Sequence, residues 1–80
     1  MSTVFILAGS YEQARSFARR SNMTPLEWRY VVDIHSILGM RQQTLWLVGE
    51  WPNRKDAEEL LSLAKAREFK VIDNEPEMQP

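Results

Sequence analysis

The chain has 80 residues, a formal net charge of −1, one histidine and no cysteine. This length predicts one domain with a small core, and the lack of thiols excludes disulfides, thiolate zinc sites and cysteine nucleophiles. The near-neutral charge argues against a dedicated DNA-coating protein, and one histidine cannot build a histidine-rich metal site.

The first predicted element is a strand at residues 3–8, TVFILA. It lacks polar alternation after Thr3, which is typical of a strand covered on both faces. The apolar run is also far too short for a signal-peptide core or a membrane span. We therefore expect a cytoplasmic protein.

A capped helix is predicted directly after this strand. Gly9 ends the strand, and the S-x-x-Q pattern from Ser10 to Gln13 predicts a capping box, in which each residue satisfies the other's backbone donor. The helix is predicted over residues 11–21. Its apolar stripe, at spacings of three and four, comprises Ala14, Phe17, Ala18 and Tyr11.

The middle of the chain predicts two strands separated by a short helix. The sequence TPLE at residues 24–27 repeats the capping pattern but leaves room for only one turn before a strand at residues 28–32. Asp33 is expected to cap a short helix that stops at Gly39. A third strand is predicted at residues 44–48, TLWLV.

The last part predicts a second helix, a fourth strand and a tail. Gly49 ends the third strand, and Asn53 is expected to cap a helix over residues 54–68. The apolar stripe of this helix comprises Ala57, Leu60, Leu61 and Ala64. A fourth strand is predicted at residues 69–72, FKVI, and residues 73–80 are expected to form a disordered tail.

The element order β-α-β-(short α)-β-α-β predicts the α/β fold class. Alternating strands and helices over short loops specify a mostly parallel four-stranded sheet with right-handed crossovers, a small three-layer Rossmann-like unit. A single domain would span residues 1–72. The alternative is an α+β sheet with one antiparallel edge strand, because the fourth strand is short and only half apolar.

The loops after strands one and three repeat one pattern: an apolar strand, a glycine, one polar residue, an aromatic residue and then a helix. In a parallel sheet both loops lie at the carboxyl ends of their strands, where open α/β sheets bind ligands. We therefore predict a candidate ligand-binding rim, with two aromatic side chains standing on it. Its residues are Gly9, Ser10, Tyr11, Gly49 and Trp51.

Neither loop has the sequence of a working phosphate-binding loop. Gly9 is followed by S-Y-E-Q-A-R, without the second glycine and the lysine of a P-loop or the further glycines of a dinucleotide site. ATP hydrolysis, a cofactor and a metal are therefore not predicted. A plain glycine turn before a capped helix accounts for Gly9, and Trp51 could pack over a helix end instead of forming a binding platform.

Three other groups of side chains need an interpretation. Asp33 and His35 lack a third partner for nucleophilic catalysis, and Asp33 already has a capping role, so we interpret the histidine as solvent-facing. The tryptophans at positions 28 and 46 lie inside predicted strands and are expected in the core. The densest basic patch could hold a phosphate group or an acidic partner surface, or could be a solvated helix face. It consists of Arg15, Arg19 and Arg20.

The segments VFILAGSYEQA, WRYV and LVGEW, in this order, resemble a group of small uncharacterised proteins encoded by phages of actinobacteria. The resemblance covers Thr3 to about Lys70. Those proteins are similar in outline to a nucleotide-binding half domain of P-loop ATPases that has lost its phosphate lysine. The resemblance implies a small phage protein without catalytic activity, acting in the host cell cytoplasm.

Two classes of function stay open. The first is a non-catalytic module that binds a host or phage protein and forms a homodimer, which the three tryptophans and the lack of a catalytic constellation favour. The second is a binder of a nucleotide or signal molecule that uses the two glycine loops. Self-association is expected because so small a sheet leaves its edges uncovered, and residues 69–72 and 28–30 are the least protected surfaces. The alternative is a monomer whose tail folds back over the last strand.

Overall fold

The computed structural model describes residues 3–73, and its centre is a four-stranded sheet between two helices. The strands are β1 (Val4–Ala8), β2 (Trp28–Tyr30), β3 (Thr44–Val48) and β4 (Lys70–Asp73), and the helices are α1 (Tyr11–Arg20) and α2 (Ala57–Ala66). The strand order is β2-β1-β3-β4, and all three neighbouring pairs are parallel. The α/β prediction is thus confirmed, and the fourth strand is parallel to its neighbour, not antiparallel as the alternative required.

The sheet is covered on both faces because successive side chains of β1 and β3 point to opposite sides. On the α2 face the buried cluster comprises Phe5, Leu7, Val31, Ile37, Leu45, Leu47, Leu60, Ala64 and Phe69. On the α1 face it comprises Ile6, Ala8, Ala14, Phe17, Ala18 and Val48. Trp28 and Trp46, both expected in the core, pack against the α1 cluster but stay partly exposed.

Helix α1 begins as predicted, but only half of its capping box forms. Ser10 is the N-cap, and its hydroxyl accepts a hydrogen bond from the Gln13 backbone N–H at 3.3 Å. The Gln13 side chain does not return to Ser10. Its Oε1 accepts from the backbone N–H groups of Gly9 and Glu50, because an amide oxygen placed there satisfies two donors at once.

The start of α2 differs from the prediction. Asn53 caps no α-helix: residues Trp51–Asn53 form a 3₁₀ turn, and Arg54 is extended with φ −75° and ψ 143°. The helix begins at Ala57 after Asp56, whose carboxylate makes no cap bond because it is paired with the Arg54 guanidinium. The tertiary position of Arg54 therefore shortens this helix at its amino end.

The remaining boundaries shift by a few residues. Strand β2 has three residues where five were predicted, and the short helix is a 3₁₀ turn at Ile34–Ser36 that Asp33 caps as expected. Asp73, predicted to begin the tail, is the last residue of β4. The rest of the predicted tail, residues 74–80, lies outside the described residues. Within residues 3–73 no helix has the length and apolar character needed to cross a membrane.

Candidate functional site

The two glycine loops meet at the topological switch point of the sheet. Strand β1 connects to β2 through α1, whereas β3 connects to β4 through α2 on the opposite face, so the chain leaves the adjacent strands β1 and β3 in opposite directions. In open α/β sheets this gap at the carboxyl ends of the strands is the usual ligand site. The structure thus brings the predicted loops together at one edge.

The Gln13 side chain fills this gap. Its Oε1 lies 3.0 Å from the backbone nitrogen of Gly9 and 3.0 Å from that of Glu50, so one oxygen ties the loop after β1 to the loop after β3. This close approach explains why both positions are occupied by glycine. A Cβ atom at Gly9 would lie 2.8 Å from Oε1, and one at Gly49, where φ is +61°, would lie 2.5 Å from it.

A cleft of about 470 Å³ runs along α1 beside this bridge. Its charged lining combines the guanidinium of Arg20 with the carboxylates of Glu12 and Glu50. Two backbone donors at this edge, the N–H groups of Gly9 and Glu50, already bond to Gln13. An anion at this edge would have to displace Gln13 and to approach two carboxylates, which makes the cleft a poor phosphate site.

The predicted pair of aromatic side chains on one rim is wrong. Tyr11 lies on the α1 side, where its ring stacks on Trp28 at a centroid distance of 5.9 Å and meets the edge of Tyr30 at 5.6 Å. Trp51 packs instead against the core cluster on the α2 face. The alternation of strand side chains separates these two faces, so Trp51 has the packing role and Tyr11 belongs to another group.

The three rings of Tyr11, Trp28 and Tyr30 form a surface that we call the aromatic surface. It lies at the β2 edge of the sheet, and Tyr11 is 51% exposed. Exposed apolar side chains flank β2 in sequence on both sides, Leu26 at 93% and Val32 at 62%. Exposed apolar side chains therefore precede and follow the edge strand that carries the aromatic surface.

Arg54 stabilises the backbone next to the aromatic surface, and no local sequence pattern indicates this role. Its guanidinium donates to the backbone carbonyl oxygens of Val31 at 2.7 Å and Val32 at 2.6 Å, and to that of Ala8 at 3.3 Å. The same group lies 5.7 Å from the centroid of the Tyr30 ring. Arg54 thus fixes the carboxyl end of β2 against β1 and places a cation beside one ring of the aromatic surface.

The role of Arg54 escapes prediction because most of its contacts are distant in sequence. Its local partner is Asp56, two residues away, which accepts from Nε and Nη2. An arginine and an aspartate at this spacing near a helix start are indistinguishable in sequence from ordinary surface charges. Gln13 is predicted only as a local cap, because nothing in the sequence indicates that Glu50 lies next to it.

The basic patch is an exposed helix face in this structure. Arg15 is within 3.8 Å of Glu12 on the same helix, and Arg19 and Arg20 line a shallow depression with Ser16. His35 is solvent-facing as predicted, with 78% of its side chain exposed. Among residues 3–73 no three histidine, aspartate or glutamate side chains cluster in a way that could hold a metal ion.

Neither a known family model, nor a curated protein sequence, nor a solved structure matches this chain. The resemblance to phage proteins therefore stays a prediction. The fold and the positions of the side chains are the observations on which a function can be proposed.

Proposed function

We propose that this protein is a non-catalytic interaction module that binds a partner protein through the aromatic surface of Tyr11, Trp28 and Tyr30. The observation that carries the proposal is the mutual packing of these rings at an edge strand while Tyr11 stays half exposed. Aromatic side chains anchor protein interfaces because they bury a large area at a small entropic cost.

The aromatic surface is also held in place before any partner binds. Trp28 and Tyr30 belong to β2, whose backbone pairs with β1, and Tyr11 is the first residue of α1. Arg54 lies against Tyr30 and bonds to the carbonyl groups that follow β2. A rigid surface of this kind binds with less ordering of side chains, which favours affinity.

The alternative function, binding of a nucleotide or signal molecule by the glycine loops, has weaker support. The backbone donors of Gly9 and Glu50 are satisfied by Gln13, and two carboxylates line the adjacent cleft. Trp51, which would have stacked on a base, packs on the other face of the sheet. These contacts favour the interaction module over the small-molecule binder.

The partner we propose is a host or phage protein, in line with the resemblance that the sequence carries, and the encounter would take place in the host cytoplasm. Leu26 and Val32, both exposed, flank β2 in sequence. A partner of matching chemistry therefore presents an apolar patch that covers the rings and these flanking side chains.

The experiment compares tagged wild-type protein with a Tyr11→Ala variant. Each is purified from the cells in which it is native, the copurifying protein is identified, and its binding to both chains is titrated by calorimetry. We expect Tyr11→Ala to weaken binding about tenfold or more, as for an interface anchor. His35→Ala, an exposed position outside the aromatic surface, serves as the control and should bind like the wild type.

Two results would contradict the proposal. Equal binding by the wild type and by Tyr11→Ala would remove the aromatic surface from the interface. An absorbance spectrum that shows a stoichiometric amount of bound nucleotide in the purified wild-type protein would favour the small-molecule alternative.

A further inference from the structure

In the part of the chain that the structure describes, strand β2 pairs with β1 alone, and the orientation of its other edge can be worked out from its bonds to β1. The backbone N–H of Val4 donates to the Glu27 carbonyl, and the N–H of Val31 donates to the Ile6 carbonyl. Backbone groups alternate along a strand, so residues 27, 29 and 31 face β1. The backbone N–H and C=O groups of Trp28 and Tyr30 therefore point outward, away from the sheet.

Among residues 3–73 no backbone hydrogen bond reaches these outward groups, since β2 is the first strand in the sheet order. Such an edge is a template for another strand. The strand is short, with three residues, and it is flanked by the exposed Leu26. The side chains around this edge determine which strand can pair with it.

We propose that β2 pairs with β2 of a second copy of this chain, antiparallel, about a two-fold axis at Trp28. This inference goes beyond the proposed function, because it concerns the backbone edge of β2 and not the aromatic side chains that bind the partner protein. In this register the two Trp28 residues exchange both of their outward backbone bonds. Two four-stranded sheets then become one continuous sheet of eight strands.

The charges next to Trp28 select this register. A two-fold axis at Trp28 places Glu27 opposite the partner's Arg29, and Arg29 opposite the partner's Glu27. This gives two ion pairs, each between a carboxylate and a guanidinium. Both side chains are exposed. Glu27 uses its Oε1 to accept from the Thr24 backbone N–H at 2.9 Å, which leaves its second carboxylate oxygen for the partner.

The neighbouring registers lack this complementarity. An axis at Arg29 would allow the outward backbone groups of Trp28 and Tyr30 to bond to the partner, but it would place two arginines directly opposite each other. An axis at Tyr30 would place Arg29 opposite the partner's Val31, which is buried in the core of its own chain. Only the axis at Trp28 combines outward backbone groups with paired charges.

The other edge of the sheet has no comparable pattern among the described residues. The Lys70 N–H donates to the Gln43 carbonyl, so Val71 carries the outward backbone groups near the centre of β4. An axis at Val71 would place Lys70 opposite the partner's Ile72, which offers no charge for it. The β2 edge is therefore favoured over β4 for self-association.

Pairing at β2 leaves the aromatic surface accessible. Trp28 and Tyr30 project to the α1 face, whereas Arg29, which lies between them on the strand, projects to the other face, because strand side chains alternate. The two-fold axis thus brings two aromatic surfaces side by side into one larger surface. Since the strand is short, we expect a weak dimer with a small interface.

The test is a charge swap read out by sedimentation equilibrium. Wild-type protein should rise from 9.4 kDa toward twice that mass at high micromolar concentration. An Arg29→Glu chain carries two acidic side chains at the interface, and a Glu27→Arg chain carries two basic ones. Each variant alone should dimerise about tenfold more weakly or worse, because both ion pairs become repulsive.

Mixing the two variants is the decisive measurement. An acidic chain and a basic chain restore two opposite-charge pairs about the same axis, so the mixture should form a heterodimer at concentrations where each variant alone is monomeric. Lys70→Glu on the other edge is the matched control, and it should dimerise like the wild type. Circular dichroism confirms that each variant is folded.

Three results would overturn the inference: a wild-type mass that stays at 9.4 kDa, a mixture no tighter than its components, or a loss of the dimer in Lys70→Glu. The outcome is separable from that of the proposed function. If the mixture of charge variants stays monomeric but Tyr11→Ala binds the partner protein more weakly, the dimer is rejected and the interaction module is supported. An unaffected Tyr11→Ala with an associating mixture would reject the partner and keep the dimer.

Discussion

Arg54 and Asp56 form a two-point ion pair at the carboxyl edge of the sheet, with Nε 3.0 Å from Oδ1 and Nη2 3.1 Å from Oδ2. Only 12% of the arginine side chain is exposed. Asp56 orients the guanidinium so that its remaining donors reach the carbonyl groups at the ends of β1 and β2. One side chain thus joins two strands to the loop before α2.

Replacing this arginine should destabilise the whole sheet. We expect Arg54→Lys to lower the free energy of unfolding by about 2 to 4 kcal/mol, because an ammonium group cannot make the same planar set of bonds and leaves partly buried carbonyls without donors. Urea denaturation measures this. The exposed neighbour is the control: Lys55→Ala should stay close to the wild type, and an equally small effect of Arg54→Lys would mean that Arg54 is not a structural clamp.

The Gln13 bridge can be tested with the amides that it binds. Gln13→Ala should lower stability by about 1 to 2 kcal/mol, since two backbone donors lose their acceptor. Hydrogen exchange should speed up at the Gly9 and Glu50 amides in particular. Glu12→Ala, one residue earlier on the same helix, should leave both exchange rates unchanged, and unchanged rates in Gln13→Ala would show that the bridge does not persist in solution.

Alanine substitutions at the two glycines with positive φ distinguish the cost of backbone strain from the cost of close packing. Gly39 has φ +91°, and among the described residues no non-neighbouring atom lies within 4 Å of the point that a Cβ would occupy, whereas a Cβ at Gly49 would lie 2.5 Å from Gln13 Oε1. Gly39→Ala should therefore cost about 1 to 2 kcal/mol from strain, and Gly49→Ala more. Thermal denaturation ranks them. Equal losses would contradict the close approach of Gln13.

Two substitutions that weaken the attachment of α1 should lower the free energy of unfolding by different amounts. Ser10→Ala removes a cap and should cost about 1 kcal/mol, whereas Phe17→Ala opens a cavity beside Trp46 and should cost about 3 to 5 kcal/mol. Tryptophan fluorescence should change only for Phe17→Ala. Ser16→Ala, exposed on the same helix, is the reference; a Phe17→Ala protein as stable as this reference would place the apolar face of α1 elsewhere.

Calorimetry with Mg-ATP should give no tight binding and no hydrolysis. The loop after β1 has no lysine to reach the terminal phosphates, and its Gly9 donor is bonded to Gln13. The same titration on Gln13→Ala shows whether removal of the bridge frees an anion site. Micromolar binding by the wild type that Ser10→Ala abolishes would make the first loop a true ligand site.

The sequence by itself determined the elements whose signals are local. Continuous apolar runs predicted β1 and β3, the spacing of Ala14, Phe17 and Ala18 predicted the buried side of α1, and the alternation of strands and helices predicted the parallel sheet. These features depend on the periodicity of neighbouring residues, so a single chain is enough to reveal them.

Only the tertiary structure decided where the polar and aromatic side chains go. Gln13 bonds to Glu50, Arg54 bonds to Val31 and Val32, and Tyr11 stacks on Trp28 instead of sharing a rim with Trp51. Each of these contacts joins residues from different elements, and the register of the sheet and the face that each helix covers bring them together. Local patterns carry no information about such pairs, because their energy appears only after the strands have been assembled.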